Sequence, residues 1–175
     1  NTMVTTVDEL PTTIRQAFRE STTGTPGPSH IDITGVTGEI ITKEADLEVI
    51  AEAQYMQIPS YRPEPDSNSI KNAINLLIKA KKPVIIAGGG ANISGARKEL
   101  INIAEKLNIP VATSLNAKEI FPYDHPLAVG IPGSYSRSCA NKIVAESDLV
   151  FFIGSHTGSQ ITNNWRLPRK GTSII

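Results

Sequence analysis

A chain of 175 residues is long enough for one well-buried domain with extra structure and short for two full domains. Hydrophobic content of 39% and charged content of 19% are ordinary for a globular protein, and 17 Lys+Arg against 17 Asp+Glu leave no formal net charge. That balance provides neither a basic excess for nucleic acid or an anionic membrane nor an acidic disordered tail, so no nucleic-acid or membrane partner is expected.

Cys139 is the single cysteine, which excludes a disulfide framework within the chain and makes a reducing cytoplasm the simpler location. Asn1 to Asp8 has neither the basic start nor the apolar stretch of a signal peptide, and no apolar run reaches membrane-spanning length. The first residue is not Met, and Thr172-Ser173-Ile174-Ile175 stops as a strand opens, so the sequence reads as a fragment trimmed at both ends.

In chain order, Asp8 reads as an N-cap and Pro11 as a first-turn residue. Ile14, Ala17 and Phe18 then predict a short amphipathic helix ending near Thr23-Gly24. Pro26-Gly27-Pro28 breaks the chain, and His30-Ile31-Asp32-Ile33 alternates as a strand does. One helix and one strand cannot bury a core, so residues 1–35 are expected to pack against something else. Residues 36–66 read as an interdomain linker, with a short helix around Lys43 to Tyr55 and with Pro59, Pro63 and Pro65 stiffening the remainder.

From Ser67 the pattern changes. Ile70, Ala73, Ile74, Leu77 and Ile78 define one helical face, with Lys79, Lys81 and Lys82 crowding its C-terminal end. Pro83 to Ala87 is a short continuous apolar run, the mark of a parallel strand buried on both faces, and Gly88-Gly89-Gly90 follows directly. Ser94 is read as the cap of a helix carrying Ala96, Leu100, Ile103, Ala104 and Leu107. A second strand spans Ile109 to Thr113, and Ser114 to Ile120 opens a loop or helix. A loop with Pro122, Pro126 and Pro132 leads to a helix from Arg137 to Ala145. Asp148 precedes a third strand, Leu149 to Ile153, which ends at Gly154; a polar loop then runs through Trp165 to a strand at Ile174. This alternation calls for a doubly wound, mainly parallel Rossmann-like α/β sheet with helices on both faces.

The glycine turn is the strongest single motif. Glycines at the carboxyl end of a parallel strand let backbone amides approach a ligand, although Gly88, Gly89 and Gly90 do not have G-x-G-x-x-G spacing and a plain βα turn reads equally well. The next two strands run out into Ser114-Leu115-Asn116 and Gly154-Ser155-His156, so small or polar strand ends would line one crevice where open sheets take ligands. His156 reads as an acid, a base or a phosphate contact, or more simply as a loop histidine paired with backbone. His30 and His125 read as structural, Cys139 as a buried inert thiol, and Glu44 and Asp46 as solvated. Trp165 either stacks on a ring or anchors its loop. No Walker loop, G-x-S-x-G elbow or zinc spacing occurs, so no catalytic residue and no metal ligand is assigned.

Several stretches then fall into a recognisable order. Ile14 to Phe18 with Gly24 to Asp32 resembles the end of the pyrimidine-binding domain of thiamine-diphosphate enzymes of the acetolactate synthase type. Lys82 to Gly90 resembles the start of their central domain. Thr113-Ser114-Leu115, Asp124-His125-Pro126-Leu127, Gly130-Ile131-Pro132-Gly133 and Ala145 to Val150 before Gly154 continue the similarity.

The resemblance implies residues 1–35 as the tail of the first domain and 67–175 as a truncated central domain. The rest of the pyrimidine-binding domain and the pyrophosphate-binding domain would be the partners, in a homodimer or homotetramer. It implies thiamine diphosphate and Mg2+ in the full-length parent, whose ylid would attack the keto carbon of a 2-oxo acid. The fragment itself is expected to be inactive, because no Gly-Asp pair accompanies Asn163-Asn164. It also implies FAD or an ADP-like nucleotide near Gly88, Gly89, Gly90, Thr113, Ser114, Leu115 and Gly154. His156 stands where FAD-binding relatives carry arginine, which weakens a diphosphate site. The alternatives are a stand-alone NAD- or FAD-binding module and a purely structural oligomerisation domain.

Overall fold

A computed structural model describes residues 1–35 and 47–175, so Glu44, Asp46 and the start of the helix expected from Lys43 lie outside the described residues. The chain divides into two units, Asn1–Pro63 and Glu64–Ile175.

In the first unit β1 (Thr2–Val4) and β2 (Ile31–Ile33) pair in parallel, and α1 (Leu10–Thr22) connects them. β1 was not anticipated, because three residues are too short to show a period. Asp8, expected as the N-cap, lies inside a 3-10 turn, Val7–Glu9. The chain entry is instead held by Glu9, whose carboxylate accepts the N–H of Thr5 at 3.0 Å and of Thr6 at 3.3 Å. Ile14 and Phe18 remain exposed, and Val4 is the only buried apolar residue among the described residues of this unit. The expected helix reaching Tyr55 is a 3-10 turn, Ala53–Met56, tied to α1 by a two-pronged ion pair between Arg19 and Glu52.

The second unit is built on five parallel strands: β3 (Pro83–Ala87), β4 (Val111–Thr113), β5 (Ala128–Gly130), β6 (Leu149–Ile153) and β7 (Ser173–Ile174). Their order in the sheet is β5-β4-β3-β6-β7, so the winding direction reverses between β3 and β6. Ile85 sits opposite Val111 on one side and Phe151 on the other. Successive β3 side chains point to opposite faces. Ile85 and Ala87 join Leu77, Leu100 and Ala104 under α2 (Ser67–Lys79) and α4 (Arg97–Leu107), whereas Val84 and Ile86 join Val144 of α5 (Ser138–Glu146). Both faces of the strand are therefore dry, and each such fully buried aliphatic contributes about 1.5–3 kcal/mol. This is the expected doubly wound α/β sheet.

Four details depart from the sequence reading. Only Leu77 of the expected α2 face is buried; Ile74 and Ile78 are 47% and 65% exposed, because a single row of the helix meets the sheet. Ser94 does not cap the long helix: the glycine turn opens a short helix, α3 (Gly89–Ile93), which ends at Ser94. Gly95, in the left-handed region at φ 69°, then separates it from α4. β5 lies inside what reads as a proline-rich loop, since three residues between Pro126 and Pro132 suffice for an edge strand. Cys139 is exposed on α5 rather than buried, its thiol near the Val129 carbonyl.

Candidate functional site

At the carboxyl ends of β3, β4 and β6, where the sequence reading places a crevice, the glycines meet one another. Gly88 N–H donates to Ile153 and Gly90 N–H to Gly154, both at 2.8 Å. Gly154 has φ 56°, and a Cβ there would collide with Ala91 N, just as a Cβ on Gly88 would collide with the Gly154 carbonyl. The three glycine positions thus meet backbone to backbone. Two of the amides expected to face a ligand are already consumed.

Gly89 differs. A Cβ there would sit 3.5 Å from Asn116 Cβ, in ordinary contact. On the other flank Ser114 N–H donates to the Ala87 carbonyl at 2.8 Å, which places Thr113 and Ser114 beside the glycine turn. Leu115 starts a 3-10 turn, Leu115–Ala117, and is half exposed. Asn92 and Arg97 bind this segment through Glu119: Asn92 donates to its carboxylate at 2.7 Å, and Arg97 to its carbonyl. Asn92, Asn116 and Glu119 were not singled out from the sequence; their signal is only that they follow strand ends.

His156 is exposed, and its carbonyl accepts from the Ser155 hydroxyl at 3.3 Å. Its ring has no hydrogen-bond partner among the described residues, so it is not the backbone-paired loop histidine expected. His125 is held as a structural residue: Nε2 meets Glu105 at 3.1 Å, Nδ1 accepts the Leu127 N–H at 3.1 Å, and the ring stands edge-on to Phe121. Trp165 is 68% exposed and does not anchor its loop by burial. It closes a run of three left-handed residues, Asn163, Asn164 and Trp165, stabilised by its N–H donating to Thr162.

Among the described residues no group of three or more His, Cys, Asp or Glu is placed to hold a metal ion. No helix is long and apolar enough to cross a membrane.

A doubly wound parallel sheet with a glycine contact at its switch point defines a Rossmann-like α/β domain. More particularly, the chain belongs to the thiamine pyrophosphate enzymes, whose central-domain model matches residues 70–175. It is 39% identical over 96% of its length to the protein assigned as the acetolactate synthase large subunit of Methanocaldococcus jannaschii, and spans 28% of that protein. It is 35% identical over 94% of its length to the acetolactate synthase large subunit of Corynebacterium glutamicum, and spans 26% of it. An X-ray structure from Mycobacterium smegmatis, assigned to the thiamin diphosphate-dependent enzymes, superposes on 98% of the chain with a TM-score of 0.72. At 22% identity, over 32% of that chain, it speaks for the fold alone. Similarity of this extent includes the Ile14 to Asp32 segment, for which a stand-alone nucleotide module has no use.

Proposed function

We propose that this chain is the supporting middle of an acetolactate synthase-like enzyme that acts on 2-oxo acids. Collinear similarity over nearly the whole chain to about a quarter of the large subunits carries this reading. In that parent, thiamine diphosphate and Mg2+ are held by domains outside these residues. Residues 1–35 end the pyrimidine-binding domain, 36–66 link it onward, and 67–175 form the central domain. The parent works in the cytoplasm as a homodimer or homotetramer, and this region positions the two catalytic domains without touching the reacting atoms. The parent, supplied with pyruvate, thiamine diphosphate and Mg2+, is expected to form acetolactate, and the 175-residue chain is not. Acetolactate made by the chain alone overturns the supporting role; a parent inert toward every 2-oxo acid overturns the enzyme class.

FAD or an ADP-like nucleotide at the crevice belongs to the same proposal, in a reduced form. Gly88, Gly90 and Gly154 supply shape only, since they contact one another. Gly89, Thr113, Ser114, Leu115 and His156 are left as the rim a ligand would touch. His156 stands where an arginine would supply a permanent cation. Calorimetric titration of the chain with FAD is expected to show weak binding; tight binding would overturn this assignment.

A further inference from the structure

The connector that leaves the first unit is tied back to that unit before it reaches the second. α1 ends at Thr22, and the last carbonyls of a helix have no partner within it. The Thr22 carbonyl is taken by Ser60, whose hydroxyl donates to it at 2.8 Å and whose N–H donates at 3.4 Å. Ser60 is 6% exposed, and its side chain also meets the Thr23 hydroxyl at 3.4 Å. About a turn earlier on the same helix, Arg19 holds Glu52 through two bonds, with its guanidinium over the Tyr55 ring. Tyr55 in turn meets Tyr61, hydroxyl to hydroxyl at 2.6 Å and with the rings edge-on at 5.8 Å between centroids. Residues 52–61 are therefore gripped by α1 near both of their ends and bonded to one another.

The second unit starts just as sharply. Asp66 caps α2, its carboxylate accepting the Ser69 N–H at 2.7 Å. The division between the units falls between Pro63 and Glu64. Pro63, Glu64 and Pro65 are exposed, and closely spaced prolines keep a chain extended, at roughly 3.1 Å per residue.

We infer that residues 52–61 are a clasp that fastens the connector to α1, so that the two units are tethered through Pro63-Glu64-Pro65 alone and not over the whole of 36–66. The chain leaves α1 at Thr23 and returns to the same end of that helix at Glu52 and Ser60, which isolates everything between from the tether. The tether spans about 9 Å, too short and too stiff for wide swings. Opening the clasp converts the connector into a long flexible chain, whose end-to-end distance grows as the square root of its length. The clasp belongs to this chain whatever reaction the parent carries out.

Spin-label distances measured across the two units of the 175-residue chain test this. Thr12→Cys on α1 and Lys98→Cys on α4, both exposed, carry the labels in a Cys139→Ser background. A flexible insertion of about eight Gly and Ser residues between Val49 and Ile50 is expected to leave the distance distribution unchanged, because the clasp closes off that segment. The same insertion between Pro63 and Glu64 is expected to broaden it about twofold. With the clasp opened by Arg19→Ala and Ser60→Ala, the insertion after Val49 should broaden the distribution as well. Equal broadening by the two insertions in the otherwise unaltered chain overturns the clasp. So does an insertion after Val49 that stays silent once Arg19 and Ser60 are substituted, since other contacts would then hold the connector. Silence of the insertion after Pro63 overturns the tether. The insertions leave every clasp residue in place, so they decide the matter even where the double substitution unfolds the first unit.

Discussion

The backbone N–H of Gly90 donates to the carbonyl of Gly154 at 2.8 Å, so the turn after β3 and the turn after β6 touch without any side chain between them. Only glycine permits that approach at the switch point of the sheet. The glycines look like a ligand motif in sequence, and in the fold they act as a packing contact.

Gly154→Ala adds a Cβ that meets Ala91 N and forces a left-handed residue to carry it. A loss of about 2–4 kcal/mol is expected in urea unfolding. Gly89→Ala, with room beside Asn116, should change stability by less than about 1 kcal/mol. Equal stability of both variants would show that the two turns do not touch in solution.

Asp148 closes the start of β6 onto the approach to β3 by accepting the N–H of Lys81 at 2.7 Å and of Lys82 at 2.9 Å. The Lys81 amide first, then that of Lys82, holds its carboxyl below the usual range. A carboxyl depressed in the folded state contributes stability above its unfolded pKa and loses it as pH falls through the folded value. Asp148→Asn should therefore melt lower than the parent at pH 7, with the gap closing below about pH 4. A gap that persists unchanged at pH 2 would rule out the carboxylate as its source.

His125 bridges α4 and β5 through Glu105, Leu127 and Phe121. His125→Ala should cost about 1–3 kcal/mol. His125→Asn, whose side-chain carbonyl can still accept from Leu127, should cost less. Denaturant midpoints of the two variants provide the comparison.

Arg19 grips Glu52 through Nε at 2.7 Å and Nη2 at 2.5 Å, with its guanidinium 5.4 Å from the Tyr55 ring centroid. Lysine cannot reproduce that fork. Arg19→Lys should speed limited proteolysis near Ala53–Met56 while leaving cleavage within Glu64–Ile175 unchanged. Mass spectrometry of the fragments reads both rates.

How much was legible follows from how much of each residue's environment is local. β3 and β6 were readable because strands buried on both faces must be apolar throughout, as Val84 to Ala87 and Leu149 to Ile153 are. α5 was read as a helix from Arg137 to Ala145 and spans Ser138–Glu146. β5 was not readable, because a three-residue edge strand has no period and its pairing to Val111 and Ala112 is remote in sequence. The α2 face misled, because periodicity shows which residues can be buried and not how many rows of a helix find a partner. Thr113 was singled out for its place at a strand end; Asn92 and Glu119 were not, because their hydrogen bond joins turns 27 residues apart.

By itself, then, the sequence determined a parallel doubly wound sheet and the succession of its buried strands β3, β4 and β6, since burial on both strand faces is written in adjacent residues. Only the tertiary structure decided what the glycine turn does. Whether an amide faces a ligand or a neighbouring carbonyl depends on where a second turn, more than sixty residues away, comes to rest. Here Gly154 comes to rest against Gly90.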